Sequence, residues 1–293
     1  MKQFINLMET ILVTGSGGQL GLSLVNLEKE YPQFKFLFTN KHTLNILDFE
    51  ELEKYIVKNK VTLIINCAAY TNVDKAEDEE ELAYKINCLA VQNIGQLTKK
   101  HQLKLIHIST DYVFDGTSEF PYKEIAITNP QNKYGHSKLE GENELLKINP
   151  PNTLIIRTSW LYAPYGKNFV KTILKLCEEK DCISVVNDQI GSPTYAVDLA
   201  STILKIIPFL QTEGVQIFHY ANSGKCSWYQ FAKEIIKISN RTCKIEPITS
   251  QQFKTKAKRP KFSLLNTEKI QQTFDIKIPY WETSLKKCIN LIN

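Results

Sequence analysis

No stretch of this 293-residue chain is apolar for long enough to cross a membrane, and the opening MKQFINLMETILVTG lacks the long apolar segment and small-residue cleavage site of a secretory leader. Internal repeats, low-complexity tracts and CxxC pairs are also missing. The seven cysteines, an odd number, fall at irregular spacings, and Cys67 and Cys88 sit in apolar or helical contexts. They read as reduced thiols used as small apolar residues. Nor is there a basic arm: 36 Lys and Arg are interspersed with 31 Asp and Glu, for a net charge of only +5. That balance speaks against a nucleic-acid partner and leaves room for an anionic small molecule. The five histidines, His107 and His136 among them, show no metal-ligand spacing and read as structural. These absences leave a cytoplasmic protein with no membrane, nucleic-acid or metal partner as the expectation.

What is present is a regular alternation. Short apolar, β-branched runs, ILVTG (11–15), FKFLFT (34–39), TLIINCA (62–68), KLIHIS (104–109) and TLIIRTS (153–159), are separated by helical patterns near 19–30, 48–59 and 78–101 and by the helix that begins around Tyr134. Strands that are apolar on both faces and separated by helices predict an α/β, doubly wound parallel sheet. After about residue 160 the regularity weakens into loops such as APYGKN and NDQIGSPTY, with a late helix over 227–239. The expected organisation is a dinucleotide-binding core over 9–160 and a smaller C-terminal lobe over 161–293, with about 168–186 returning to the core. Residues 1–8 are expected to precede the first strand, with Met8 as a second candidate initiator.

TGSGGQLG (14–21) stands between the first strand and the first helix and spaces Gly15, Gly18 and Gly21 three apart. Glycine permits a tight turn and the close approach of a pyrophosphate, whose charge the N–H groups at a helix start can bind. At the end of the second strand, FTNKHTLNI places Thr39, Asn40 and Lys41 where a carboxylate would otherwise meet the ribose 2′-hydroxyl of NAD. The lack of a carboxylate and the lysine's charge favour a 2′-phosphate, hence NADPH, with NADH as the alternative. The small Ala68 and Ala69 after the third strand allow close approach of a cofactor. Ser109, Thr110, Asp111 and Tyr112 close the fourth strand at the carboxyl edge, where open parallel sheets bind ligands.

KYGHSKLEGE (133–142) then puts Tyr134 and Lys138 four apart, one turn of helix, so that phenol and ammonium share a face. A hydroxyl residue closing the fourth strand, followed by this pair, resembles the active site of the short-chain dehydrogenase/reductase superfamily, a Rossmann-type fold. The likeness goes further. GGQLG, AAYTNVDKAE, STDYVFDG, YGHSKLEGE, RTSWLY, GKNFVKT, DQIGSPT, DLA, SWYQFA and KRPKFSLL run in order from residue 17 to 265, and together they resemble the dTDP-4-dehydrorhamnose reductase family.

That resemblance implies reduction of the C4 ketone of dTDP-4-dehydro-L-rhamnose to dTDP-L-rhamnose with NADPH. It implies Tyr134 as proton donor, Lys138 on the nicotinamide ribose and lowering the tyrosine's pKa, and Thr110 on the carbonyl. It puts Gly18, Gln19 and Leu20 at the pyrophosphate, Asn45 and Ile46 near the adenine, and Ala69, Tyr70 and Thr71 along the cofactor. Asp111, Tyr112 and Trp160 would contact the sugar nucleotide, with a substrate-binding C-terminal lobe; the sequence leaves the oligomeric state open, a homodimer among the options. Asn45 stands where many members carry an aspartate, and Ser23 after the glycine loop offers no basis for the magnesium-binding acidic cluster of some members. The basic loop KTKAKRPK (254–261) reads either as solvated or, through the planar fork of Arg259, as a diphosphate contact.

Two other functions fit the same residues. One is a related keto-sugar reductase with the opposite C4 configuration, such as a talose product. The other is a non-catalytic NADP-binding regulatory subunit of the methionine adenosyltransferase type, against which the intact Thr110, Tyr134 and Lys138 argue.

Overall fold

Strand and helix alternate through the first half of the chain in a computed structural model, which describes residues 8–292. The expected extension before the first strand therefore lies, but for Met8, outside the described residues. In chain order come β1 (Glu9–Thr14), α1 (Gln19–Leu27), β2 (Phe34–Phe38), α2 (Phe49–Asn59), β3 (Leu63–Asn66), α3 (Glu80–Tyr84) and, after a π turn at Lys85–Leu89, α4 (Ala90–Lys100). They are followed by β4 (Lys104–Thr110), α5 (Lys133–Ile148) and β5 (Thr153–Thr158). The second half contains β6 (Leu161–Tyr162), α6 (Phe169–Glu179), β7 (Cys182–Val186), β8 (Ile190–Gly191), β9 (Thr194–Tyr195), α7 (Ala196–Ile206) and β10 (Val215–Tyr220). It closes with β11 (Cys226–Ser227), α8 (Trp228–Ile238), β12 (Lys244–Ile248), α9 (Glu268–Phe274) and α10 (Trp281–Asn290).

The central sheet has six parallel strands in the order β10-β5-β4-β3-β1-β2. Side chains alternate between its faces. Ile11, Val13, Ile65, Ile106 and Ile156 pack with Leu24 of α1 and Ile203 of α7 on one side. Leu12, Ile64, Leu105 and Ile155 pack with Leu52 of α2, Ile94 of α4 and Leu145 of α5 on the other. Burial on both faces is why these strands read as unbroken apolar runs. The chain order reverses between β1 and β3, and at such a switch point the loops beyond the strand ends diverge and leave a crevice.

A second core gathers Tyr162, Val170, Ile173, Tyr195, Phe231, Trp281 and Leu285 from α6, α8, α10 and the short strands around them. α8 begins in a capping box, the Ser227 hydroxyl accepting from Gln230 N–H while the Gln230 side chain accepts from Ser227 N–H. Residues 168–186 belong here: α6 packs against α8, and β7 pairs with β12 instead of joining the central sheet. The segments that return to the sheet are α7, which lies against α1, and β10, which extends the sheet beside β5. The reason is apolar supply. α7 buries seven of its eleven residues, whereas α6 buries only one stripe, Val170, Ile173 and Leu174.

Candidate active site

At the switch point the carboxyl ends of the strands open into a cavity of ≈ 930 Å³. Its floor at one end is the start of α1. α2 begins with Asp48 accepting from Glu51 N–H and carries Glu50 and Glu51 in its first turn, but α1 has no side-chain cap and no acidic residue there. Its orphan N–H groups and dipole therefore stay available to an anion.

The glycines differ in purpose. Gly15 has φ +69°, and a Cβ on it would lie 2.6 Å from Ala68 Cα; one on Gly21 would lie 2.5 Å from Ser16 Cα. Those two serve the turn and the helix packing. A Cβ on Gly18 would meet only the Gly15 carbonyl, at 3.3 Å, and one on Gly17 nothing within 4 Å. Both Gly17 and Gly18 line the cavity, so their bareness leaves space for a ligand. Gln19 is held over this turn by Asn168, whose Nδ2 donates to Gln19 Oε1 at 2.9 Å while Gln19 Nε2 donates to the Leu161 carbonyl at 3.2 Å.

Beyond β2 the cavity passes Thr39, Asn40, Lys41, Asn45 and Ile46. The Thr39 hydroxyl donates to the Val13 carbonyl at 3.2 Å, so it fixes the turn. Asn45 accepts from Leu47 N–H at 3.1 Å, and Asn93 Nδ2 donates to the Leu47 carbonyl at 3.0 Å, which holds the loop against α4. Among the lining residues Asp111 is the one carboxylate, against Lys41, Lys138 and Lys167. A dinucleotide phosphate set fits this balance of charge.

At the other end stand Thr110, Asp111, Tyr112, Tyr134 and Lys138. α5 starts where it does because Asn132 caps it, accepting from Gly135 N–H at 2.8 Å, while Asn132 Nδ2 donates to the Lys258 carbonyl at 2.8 Å. Gly135 lets the helix come down on β4's end, since a Cβ there would lie 2.3 Å from the Tyr112 carbonyl oxygen. The Tyr134 and Tyr112 rings meet edge to face at 5.6 Å. Burial pushes the Tyr134 phenol up to about 12; the Thr110 hydroxyl pulls it back and the Asp111 charge raises it further. The expected lowering by Lys138 is not among the effects that set this phenol; the Lys138 ammonium donates to the Ile108 carbonyl at 2.7 Å.

Lys138 is 1% exposed. Burial lowers its pKa to about 8, against the raising pull of Glu142 and Cys67. Glu142, a further turn along α5, is clamped by Arg157 of β5 through Nε at 3.0 Å and Nη2 at 2.6 Å, with side chains 0% and 3% exposed. Thr110 donates to Asp111 Oδ1 at 3.2 Å and accepts from Tyr112 N–H at 3.2 Å. Burial raises Asp111 to about 7 although the Ser263 and Thr110 hydroxyls pull it back, and its Oδ2 has no partner within hydrogen-bond distance. A buried, unpaired acceptor beside the cavity is a place for a ligand hydroxyl or amide.

The cavity thus brings together Gly15, Gly18, Gln19, Leu20, Gly21, Thr39, Asn45, Ile46, Ala68, Ala69, Thr71, Thr110, Asp111, Tyr112, Tyr134, Lys138 and Trp160. Two expected residues are not on its wall. Tyr70 turns its hydroxyl to Glu79 Oε2 at 2.6 Å. Arg259 donates to Asp74 Oδ2 at 2.8 Å, close enough to offset part of the rise that burial imposes on the Tyr112 phenol but not lining the cavity. Trp160 does reach the wall, at φ +47° and stacked on Trp228 at 3.6 Å between centroids.

Sequence reasoning missed Asn87, fully buried in the π turn. Its amide accepts from Tyr70 N–H at 2.9 Å and donates to the Tyr70 carbonyl and the Ser137 hydroxyl, each at 3.0 Å. It ties the AAYT loop to α5. The signal available was a polar residue at an apolar helical position, a weak one.

Comparison with known proteins places these features in context. A family model described as RmlD substrate binding domain matches residues 8–293. A dTDP-4-dehydrorhamnose reductase of Aggregatibacter actinomycetemcomitans is 40% identical, over 95% of this chain and 98% of its own. The crystal structure of a dTDP-4-dehydrorhamnose reductase from Clostridium acetobutylicum shares 40% identity at a TM-score of 0.90, covering 97% of this chain and 99% of its own. One from Bacillus anthracis, in complex with NADP, shares 38% identity at a TM-score of 0.91 with the same coverage.

Proposed function

The chain belongs to the dTDP-4-dehydrorhamnose reductase family, and from that premise we propose that it is an NADPH-dependent oxidoreductase that reduces the C4 ketone of dTDP-4-dehydro-L-rhamnose to dTDP-L-rhamnose. The observation that carries the reading is a single cavity with an uncapped, glycine-lined helix start at one end and Thr110, Tyr134 and Lys138 at the other.

The residues present fit the cofactor. Gly18, Gln19 and Leu20 would hold the pyrophosphate at the α1 start, with Gly15 and Gly21 shaping the turn beneath it, Thr39 to Lys41 the ribose 2′-phosphate, and Asn45 and Ile46 the adenine. Ala68, Ala69 and Thr71 would line the path between them, with the backbone of Tyr70. Bound there, NADPH supplies the hydride.

The chain's own part is to orient the ketone and move a proton. A phenol at about 12 keeps its proton at neutral pH and gives it up only to a stronger base, which the carbonyl oxygen becomes as it gains charge. The Lys138 ammonium, 1% exposed and one turn along the same helix, would hold the nicotinamide ribose. The Thr110 hydroxyl is placed to bond the same oxygen. Asp111, Tyr112 and Trp160 would grip the sugar nucleotide. Arg259 reaches a substrate phosphate in this reading only by exchanging its Asp74 partner for it.

A cytoplasmic setting agrees with the free thiols of all seven cysteines. A homodimer is part of the proposal, and sedimentation equilibrium measures it directly. Among the described residues no helix is long and apolar enough to cross a membrane. Turnover tests the function: NADPH oxidation that depends on added dTDP-4-dehydro-L-rhamnose supports it. Tight NADPH binding without turnover, together with copurification of a transferase, would replace it with the regulatory reading.

A further inference from the structure

Three buried polar side chains stand in one row near the carboxyl ends of the central strands, beside the cavity. Thr14 of β1 is in register with Asn66 of β3, and Asn66 with His107 of β4. Their exposures are 1%, 1% and 0%. Such a row is costly unless every group is paired, and the pairing here has a direction.

The Thr14 hydroxyl donates to Asn66 Oδ1 at 2.6 Å, and Ala68 N–H donates to the same oxygen at 3.2 Å. The amide oxygen is therefore committed to that side, and Asn66 Nδ2 faces His107 Nδ1 at 3.0 Å. Turning the amide over would set its NH₂ against the Ala68 N–H. An amide that donates makes Nδ1 the acceptor, and a neutral imidazole then carries its proton on Nε2. His107 is neutral, since burial and the Lys138 charge both hold its pKa well below the usual value. Its Nε2 lies 3.4 Å from Lys138 Nζ, so an N–H meets an ammonium, two donors with no acceptor between them. Lys138 finds its buried acceptor one residue further on, at the Ile108 carbonyl.

We propose that the row of Thr14, Asn66 and His107 is a positioning device for Lys138: it fixes His107 as the Nε2–H tautomer, and that N–H denies the ammonium a second buried acceptor, so that its remaining donors are presented to the cavity. The inference rests on the reading that Lys138 meets the bound dinucleotide. None of the three residues touches the reacting atoms; they act through the lysine.

The test is the tautomer of His107, read by long-range proton–nitrogen correlation NMR of the full chain without substrate and assigned by the signal lost in His107→Gln. The expected pattern has the unprotonated nitrogen at Nδ1. An Nδ1–H pattern, or a doubly protonated ring at neutral pH, overturns the proposal. Asn66→Asp extends the test, because a carboxylate only accepts; it must draw the proton to Nδ1 and free Nε2 to capture the lysine. The tautomer pattern should then swap, and NADPH binding weaken by about tenfold, the worth of one charge-assisted hydrogen bond. A folded Asn66→Asp protein with a swapped tautomer and unchanged NADPH affinity also overturns it. If that variant does not fold, the wild-type spectrum decides alone. Because the tautomer is read without turnover, a failed activity assay and a wrong tautomer are separate results.

Discussion

Replacing Lys138 with methionine should abolish function and stabilise the fold. Burial lowers this lysine from the ordinary 10.5 to about 8. At roughly 1.4 kcal/mol per pH unit, keeping the charged form in the folded chain costs about 3 kcal/mol near neutrality. Methionine of similar length fills the same space without a charge, but the Ile108 carbonyl loses its donor, a loss of about 1–2 kcal/mol. The variant should come out more stable by about 1–2 kcal/mol at pH 7, a rise in Tm of a few degrees for a chain this long.

The sign with pH follows. Between about 8 and 10.5 the folded wild type releases the lysine proton while the unfolded chain keeps it. The unfolded state then binds more protons, so wild-type stability recovers as pH rises through that window. Urea denaturation of both proteins at pH 7 and pH 10 measures it. The advantage of Lys138→Met should shrink or reverse at the higher pH. A variant less stable than wild type at pH 7, or a gap that does not change with pH, would refute the claim that the lysine is a strained charge maintained for its function.

Three further outcomes are expected. Tyr134→Phe should lower kcat by about 10²–10⁴-fold while leaving NADPH affinity within about threefold; wild-type turnover would remove the phenol from the proton-donor role. Gly21→Ala should lose more than about 2 kcal/mol, because its Cβ meets backbone at 2.5 Å, whereas Gly17→Ala, with open space, should stay within about 0.5 kcal/mol; equal effects in thermal melts would contradict the division of labour among the glycines. Lys41→Ala should cut the ratio of kcat/KM for NADPH over NADH by about tenfold, and an unchanged ratio would move 2′-phosphate recognition elsewhere.

The parallel sheet was legible because burial on both faces writes itself as apolar runs: Leu63, Ile64 and Ile65 are all fully buried. β10 escaped that rule. Its VQIFHY carries an exposed Gln216 and a buried His219, so no clean pattern announces a sheet strand. α7 was missed for the opposite reason, being apolar around most of its circumference, and 168–186 was misplaced because periodicity says a segment is amphipathic without saying which core takes it.

In the site, the spacing of Tyr134 and Lys138 survives folding because helix geometry is local. The partners that tune them are not local. Arg157 reaches from β5 to Glu142 of α5, Asn87 reaches Tyr70 and Ser137 from a π turn, and Arg259 closes on Asp74 from 185 residues away. Gly135 and Gly141 carried no signal of their role in the sequence. They are the points where α5 touches the backbone of Tyr112 and Asn87, a Cβ on Gly141 falling 2.1 Å from the Asn87 carbonyl oxygen.

The most direct measurement supplies purified protein with dTDP-4-dehydro-L-rhamnose and NADPH deuterated at the transferable position, and identifies the product by NMR. The account predicts dTDP-L-rhamnose with deuterium at C4, and loss of that product in Tyr134→Phe. Unreacted ketone in the presence of bound NADPH would contradict it, and a talose configuration at C4 would overturn the product while leaving the chemistry of the site.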